Sequence, residues 1–97
     1  MIIIAGFTLT EADKRDAAVR AHIDMVERAR KQDGCLDLAI SADPLDPERI
    51  NIFEQWRDQN ALDAWRKVAS PPKVARRETY VKLYRADKAE EPFQSSR

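Results

Sequence analysis

Residues 2–9 form a nearly unbroken run of β-branched, aliphatic and aromatic side chains, Ile-Ile-Ile-Ala-Gly-Phe-Thr-Leu, which suits a strand covered on both faces. The period then changes. From Ala12 to Gln32, Ala18, Val19, Ile23, Met25, Val26 and Ala29 recur at helical spacing, while Arg20, Asp24, Glu27, Arg28 and Lys31 fall on the other side. This predicts one amphipathic helix, with Thr10 as its N-cap, Asp13 three residues on, and Gly34 as its stop. Leu36, Leu38 and Ile40 next alternate with Asp37, Ala39 and Ser41, and Ile50, Ile52, Glu54 and Trp56 alternate with Asn51, Phe53 and Gln55. Two strands joined through Asp43-Pro44-Leu45-Asp46-Pro47 make a hairpin. Asp58 is placed to cap a second helix over Gln59 to Ala69, with Ala61, Leu62, Trp65, Val68 and Ala69 inward and Ser70-Pro71-Pro72 ending it. Thr79 to Arg85 reads as a last strand, so residues 1–86 form the domain and 87–97 a polar tail, mobile unless a partner holds it.

Strand, helix, strand, strand, helix, strand is the ferredoxin-like, split βαβ order of an α+β sandwich with an antiparallel sheet. Two helices cover one face of such a sheet. Both faces are nevertheless apolar: Ile2, Ile4, Leu36, Leu38, Ile40, Ile50, Ile52, Val81 and Leu83 share one alternation, and Phe7, Leu9, Phe53, Tyr80 and Tyr84 share the other. Leaving large apolar groups in water is unfavourable by roughly 1.5–3 kcal/mol each. The uncovered face is therefore expected to meet a second copy, giving a homodimer.

Composition narrows the partners. The chain of 97 residues is the size of one domain, and its single cysteine, Cys35, excludes an intrachain disulfide. Seventeen basic residues balance seventeen acidic ones, with only Arg76-Arg77 as a basic pair, so nucleic acid is not an expected partner. No apolar run approaches the ~20 residues a bilayer requires, and residues 1–5 lack a basic leader, so no membrane association and a cytoplasmic location are expected. Two glycines cannot make a dinucleotide-binding fingerprint, and one histidine with one cysteine argues against a metal site within the subunit. The chain thus specifies no cofactor of its own.

Six residues are candidates for a site. His22, the only histidine, falls inside the first helix's apolar stripe, where it reads either as a general base or hydrogen-bond donor to a substrate or as a core histidine bonded to a carbonyl or tyrosine. Trp65 holds the matching place on the second helix, as a wall that stacks on a planar ligand or as core. Asn51, Phe53, Tyr80 and Tyr84 share an alternation class, and this mixture of amide, phenols and apolar groups suits substrate binding or a dimer interface. Cys35, close to Asp33 and Asp37, reads as a small hydrophobe, since nearby acids raise a thiol's pKa. Glu54 reads as a structural hydrogen-bonding group, and Arg57, Arg66, Arg76 and Arg77 as a solvated rim or an attraction for anions.

This plan, with Gly34-Cys35-Leu36, Asp43-Pro44, Phe53-Glu54-Gln55-Trp56 and Asn60-Ala61-Leu62-Asp63-Ala64, resembles the antibiotic biosynthesis monooxygenase family over about Met1 to Ala86. The resemblance implies a dimeric α+β barrel with a small-ligand pocket between sheet and helices in each subunit. It also implies cofactor-independent oxidation of phenolic polyketides or quinols, for which His22 and Trp65, by their places on the helix stripes, are the catalytic candidates. A non-catalytic homodimer that binds a small aromatic or hydrophobic ligand is the alternative. Many members carry a histidine where this chain has Trp65, and another soon after, where it has Ser70-Pro71-Pro72-Lys73. The haem-degrading branch shares the tryptophan, but it has an asparagine at the place of Phe7 and an axial histidine near Ala75 and Arg76.

Overall fold

Which alternation set faces inward follows from strand pairing. The computed structural model describes residues 1–93, so the last four residues of the 87–97 tail lie outside the described residues. Its elements are β1 (Ile2–Leu9), α1 (Ala12–Ala21), α2 (Ile23–Arg30), β2 (Cys35–Ala42), β3 (Arg49–Trp56), α3 (Gln59–Val68) and β4 (Glu78–Arg85). The four strands form one antiparallel sheet in the order β2-β3-β1-β4, the expected α+β, ferredoxin-like arrangement. Ile2 pairs with Trp56, Ile4 with Glu54 and Thr8 with Ile50, and these positions face the helices. Ile2, Ile4, Leu38 and Trp56 pack there against Ala29, Ala61, Leu62 and Trp65 in the core. The opposite face, carrying Ile3, Phe7, Leu9, Phe53, Tyr80 and Tyr84, is the one the helices leave open.

Helix α3 starts as its sequence predicts: the Asp58 carboxylate accepts from the Ala61 N–H at 2.8 Å. It ends before Ser70, whose φ is +46°, and the two prolines that follow. Its first turn presses on the α2–β2 turn so closely that a Cβ at Gly34, whose φ is +82°, would meet the Ala61 methyl.

The first helix departs from expectation. It is interrupted at His22, between α1 and α2. The Ala18 carbonyl, which a continuous helix would offer to the His22 N–H, is engaged by the His22 ring instead, with Nδ1 at 2.7 Å. The His22 N–H turns to Val19 O at 3.1 Å. A side chain has displaced the backbone donor at one rung. Thr10 is not the cap either: Glu11 holds that position without a side-chain hydrogen bond. The Thr10 hydroxyl donates instead to Ala75 O at 3.0 Å, tying the α3–β4 loop to the end of β1.

Strand β2 contains a second departure. Its pairing with β3 shifts between Cys35 and Asp37, and Leu36, expected to share a face with Leu38, is instead 55% exposed. An extra residue opposite a single partner turns its neighbours over. Beyond the irregularity, Leu38 points inward, and its backbone groups on the free edge are both taken. Its N–H donates to Asp37 Oδ1 at 2.9 Å, and its carbonyl accepts from Arg30 Nε at 2.8 Å.

The β2–β3 connection is held from within. Arg15 Nη1 donates to the carbonyls of Asp46 and Arg49 at 2.8 and 3.0 Å, with Asp43 O further off at 3.3 Å. Asp43 Oδ2 accepts from the N–H groups of Leu45 and Asp46, and its Oδ1 from Asn51 Nδ2 at 3.0 Å. The Asn51 hydrogen bond, followed by that from Asp46, holds the Asp43 carboxyl below the usual carboxylate range.

Two outcomes test this frame. Gly6 in β1 has φ +151°, and a Cβ there would run into the Tyr80 carbonyl of β4. Gly6→Ala should therefore lower stability in urea denaturation by about 1–3 kcal/mol; an unchanged midpoint would contradict the close approach. Because the folded-state pKa of Asp43 is lowered, its stabilisation is present at neutral pH and disappears as the pH falls through that lowered value. Asp43→Asn should be less stable than wild type at neutral pH and lose less on acidification from about pH 5 to pH 3, as read from denaturation midpoints.

Candidate functional site

The candidate residues divide between the two sides of the sheet. On the helix side, His22 is 4% exposed. The Ala18 carbonyl can only accept, so the imidazole donates from Nδ1, and in its neutral form the ring's lone pair falls on Nε2. Nε2 meets no hydrogen-bonding partner among the described residues. It is not sealed off either, since the sealed side-chain nitrogen or oxygen that lacks a partner among them is Gln59 Oε1. One turn earlier, Lys14, Ala17 and Ala18 join Thr10, Val74 and Ala75 around a hollow of about 200 Å³. Ala18 thus borders both the hollow and the imidazole.

Trp65, also 4% exposed, lies on Trp56, with ring centres 6.0 Å apart and planes inclined by 22°. The Arg28 guanidinium stands over the same indole at 5.6 Å. Arg28 further donates to Val68 O and Ala69 O, the last carbonyls of α3, at 3.2 and 2.8 Å, and to Asp24 Oδ2 at 2.8 Å. A cation at a helix C-terminus satisfies carbonyls that lack intrahelical donors. Arg28, Lys31, Gln32, Trp65 and Val68 bound a cleft of about 370 Å³ between α2 and α3. His22 does not line it.

The other four candidates occupy the open face. Phe7 pairs with Asn51 on one side and Tyr80 on the other, Ala5 with Phe53, and Ile3 with Tyr84. Phe7 and Tyr80 form a tilted ring pair at 5.0 Å, and the Arg49 guanidinium lies 3.9 Å from the centre of Phe7. Asn51 is spoken for: it accepts from Arg49 Nε at 2.6 Å and donates to Asp43. Tyr80 donates its hydroxyl to Glu78 Oε2 at 2.8 Å, and that carboxylate pushes the phenol pKa up. These four residues therefore share one face with each other and not with His22 and Trp65.

Glu54 accepts the Trp56 indole N–H at 3.0 Å. Cys35 packs at the core margin, and burial first, then Asp37 and Glu54, raise its thiol pKa. Arg57 pairs with Asp33 and Asp58, and Arg77 with Glu48. Among the described residues no three His, Cys, Asp or Glu side chains gather as metal ligands, and no helix is long and apolar enough to cross a membrane. Sequence reasoning did not single out Trp56 or Arg28 as neighbours of Trp65. The Asp24-to-Arg28 spacing of one helical turn was visible, but the contact with α3 spans 40 residues or more.

Comparison with known proteins fits this architecture. The family model described as antibiotic biosynthesis monooxygenase matches residues 1–70. A protein of Synechocystis sp. called uncharacterized protein sll1783 is 27% identical over 62 residues, covering 64% of this chain and 42% of its own; the chain spans less than half of that relative. Among solved structures, a proposed antibiotic biosynthesis monooxygenase from Nitrosomonas europaea superposes with a TM-score of 0.71 at 19% identity, covering 91% of this chain and 100% of its own. A similar one from Deinococcus radiodurans gives 0.70 at 20% identity, with 97% and 100% covered. A conserved protein from Methanosarcina mazei Go1 gives 0.69 at 21%, with 87% and 90% covered. At these identities the likeness to solved structures concerns the fold alone. With the family model matched from Met1 through α3 to Ser70, the chain belongs to the antibiotic biosynthesis monooxygenase family.

Proposed function

We propose that this protein is a homodimeric, cofactor-independent oxygenase of a small phenolic, quinol or polyketide-like aromatic substrate, with His22 as base and Trp65, which borders a separate cleft, supporting the helix layer from behind. One observation carries the reading: a single, nearly buried imidazole is held by a carbonyl in the tautomer that leaves Nε2 as acceptor. A base of this kind takes the proton of a phenol whose pKa is lowered by its own conjugation. The resulting phenolate supplies electrons to dioxygen, a carbon–oxygen bond forms at the ring position para to the oxygen, and the peroxide anion takes the proton from the imidazolium to become a hydroperoxide. The freed imidazole then takes the ring proton as the O–O bond breaks and passes it to the departing hydroxide, giving a quinone and one water. Exclusion of bulk water by the helix layer favours charge delocalised on the substrate.

The open face supports the dimer. Phe7, Phe53, Tyr80 and Tyr84 lie there without a covering element, and β4, an edge strand, is exposed at every residue but Val81. Tyrosine-rich apolar surfaces of this sort are characteristic of subunit interfaces. On this view Asn51, Phe53, Tyr80 and Tyr84 serve first to join subunits. A non-catalytic dimer that binds a small ligand or serves as an interaction module is the second reading, favoured by the engagement of Trp65 in packing with Trp56 and Arg28, which leaves it no catalytic part. Haem does not fit: Phe7 lies on the face away from the helices, and the 74–75 backbone presents a valine and an alanine to the nearby hollow.

Metal-free protein given 1-naphthol should consume oxygen faster than buffer alone. His22→Gln should lower kcat by about 10²–10⁴-fold while ligand affinity is kept; no uptake over a broad phenol panel overturns the oxygenase reading. Sedimentation equilibrium should give twice the 11.2 kDa chain mass for wild type and one chain mass for Phe53→Glu. A wild-type monomer would remove the dimer.

A further inference from the structure

The cleft between α2 and α3 has two unlike walls. Arg28, Lys31 and Gln32, on one side of α2 and the turn that follows it, face Trp65 and the half-exposed Val68 of α3 across about 370 Å³. A guanidinium has five N–H groups. Three on Arg28 reach Asp24, Val68 O and Ala69 O, which leaves one on each terminal nitrogen. The Lys31 amine forms no ion pair among the described residues. Asp24 is the carboxylate bonded in this cluster, so two cations stand against one anion.

We propose that this cleft binds a small aromatic carboxylate, its ring against Val68 and the narrow accessible margin of Trp65 and its two oxygens toward Arg28 and Lys31. The polar wall alone would suit any anion, but the facing apolar wall disfavours a fully hydrated one such as inorganic phosphate, which has no surface to place there. A neutral ring would bury the same apolar area without using the spare N–H groups or the unpaired amine. Arg28 is already fixed by its bonds to α3, so little reorganisation accompanies binding. The proposal goes beyond the oxygenase reading, because it requires binding and no turnover.

Isothermal titration with 2-naphthoate and its neutral isostere 2-naphthamide tests it. The carboxylate should bind about tenfold more tightly or better, and the preference should shrink as salt is raised. Lys31→Gln, at an exposed side chain with no ion partner among the described residues, should remove most of the preference without changing the folded state by circular dichroism. Lys14→Gln, at the other hollow, should leave it intact. Equal affinities, absence of naphthoate binding, or a preference that survives Lys31→Gln or vanishes in Lys14→Gln would each overturn the assignment. Oxidation of neutral naphthols is measured separately, so failure here leaves that activity standing or falling on its own result.

Discussion

The helix side of this protein depends on one contact, Trp56 of β3 against Trp65 of α3. Only Arg57 and Asp58 separate strand from helix, so the chain must reverse sharply, and the indole pair fixes the direction in which it does so. The Asp58 cap fixes the start of α3, Gly34 admits its first turn, and Arg28 closes its last one. Removing a buried tryptophan side chain costs about 3–5 kcal/mol, against about 5–15 kcal/mol for the whole stability of a typical domain. The remaining helical contacts are arranged around a pair that represents a large fraction of the total.

Much of this was readable from local pattern, and the exceptions have physical causes. Strand β1, the start of α3 and its stop were visible because periodicity, an aspartate cap and two prolines agree. The interruption at His22 was not, because helical spacing reports where side chains lie and is silent on which donor wins the Ala18 carbonyl. Thr10 had a choice of the same kind: its hydroxyl satisfies Ala75 O, 65 residues away, rather than the nearest helix. Leu36 fell in the right alternation until one extra residue in β2 inverted it. Parity along the strands grouped Asn51, Phe53, Tyr80 and Tyr84 correctly, whereas the link from Arg28 to Trp65 joins separate helices and leaves no local trace.

A sheet only one strand-layer thick separates two chemistries. The helix side combines a nearly buried imidazole with a partly cationic cleft, while the open side holds rings, an engaged amide and one guanidinium 3.9 Å from the centre of Phe7. Surfaces with such different polarity suit different tasks, and the proposed division gives small molecules to the first and the second subunit to the other. Rigidity links them, because β1 and β3 contribute residues to both faces through the same backbone.

The protected edge at Leu38 bears on how such chains gather. An unpaired strand margin is a template for the next strand of another molecule, and repeated use of it leads to open-ended fibres. Here the outward N–H and carbonyl of Leu38 are occupied by Asp37 and Arg30, beside a local irregularity that twists the margin away. Growth by adding strands along β2 is thereby discouraged, and crowding such molecules favours closed assemblies over polymer.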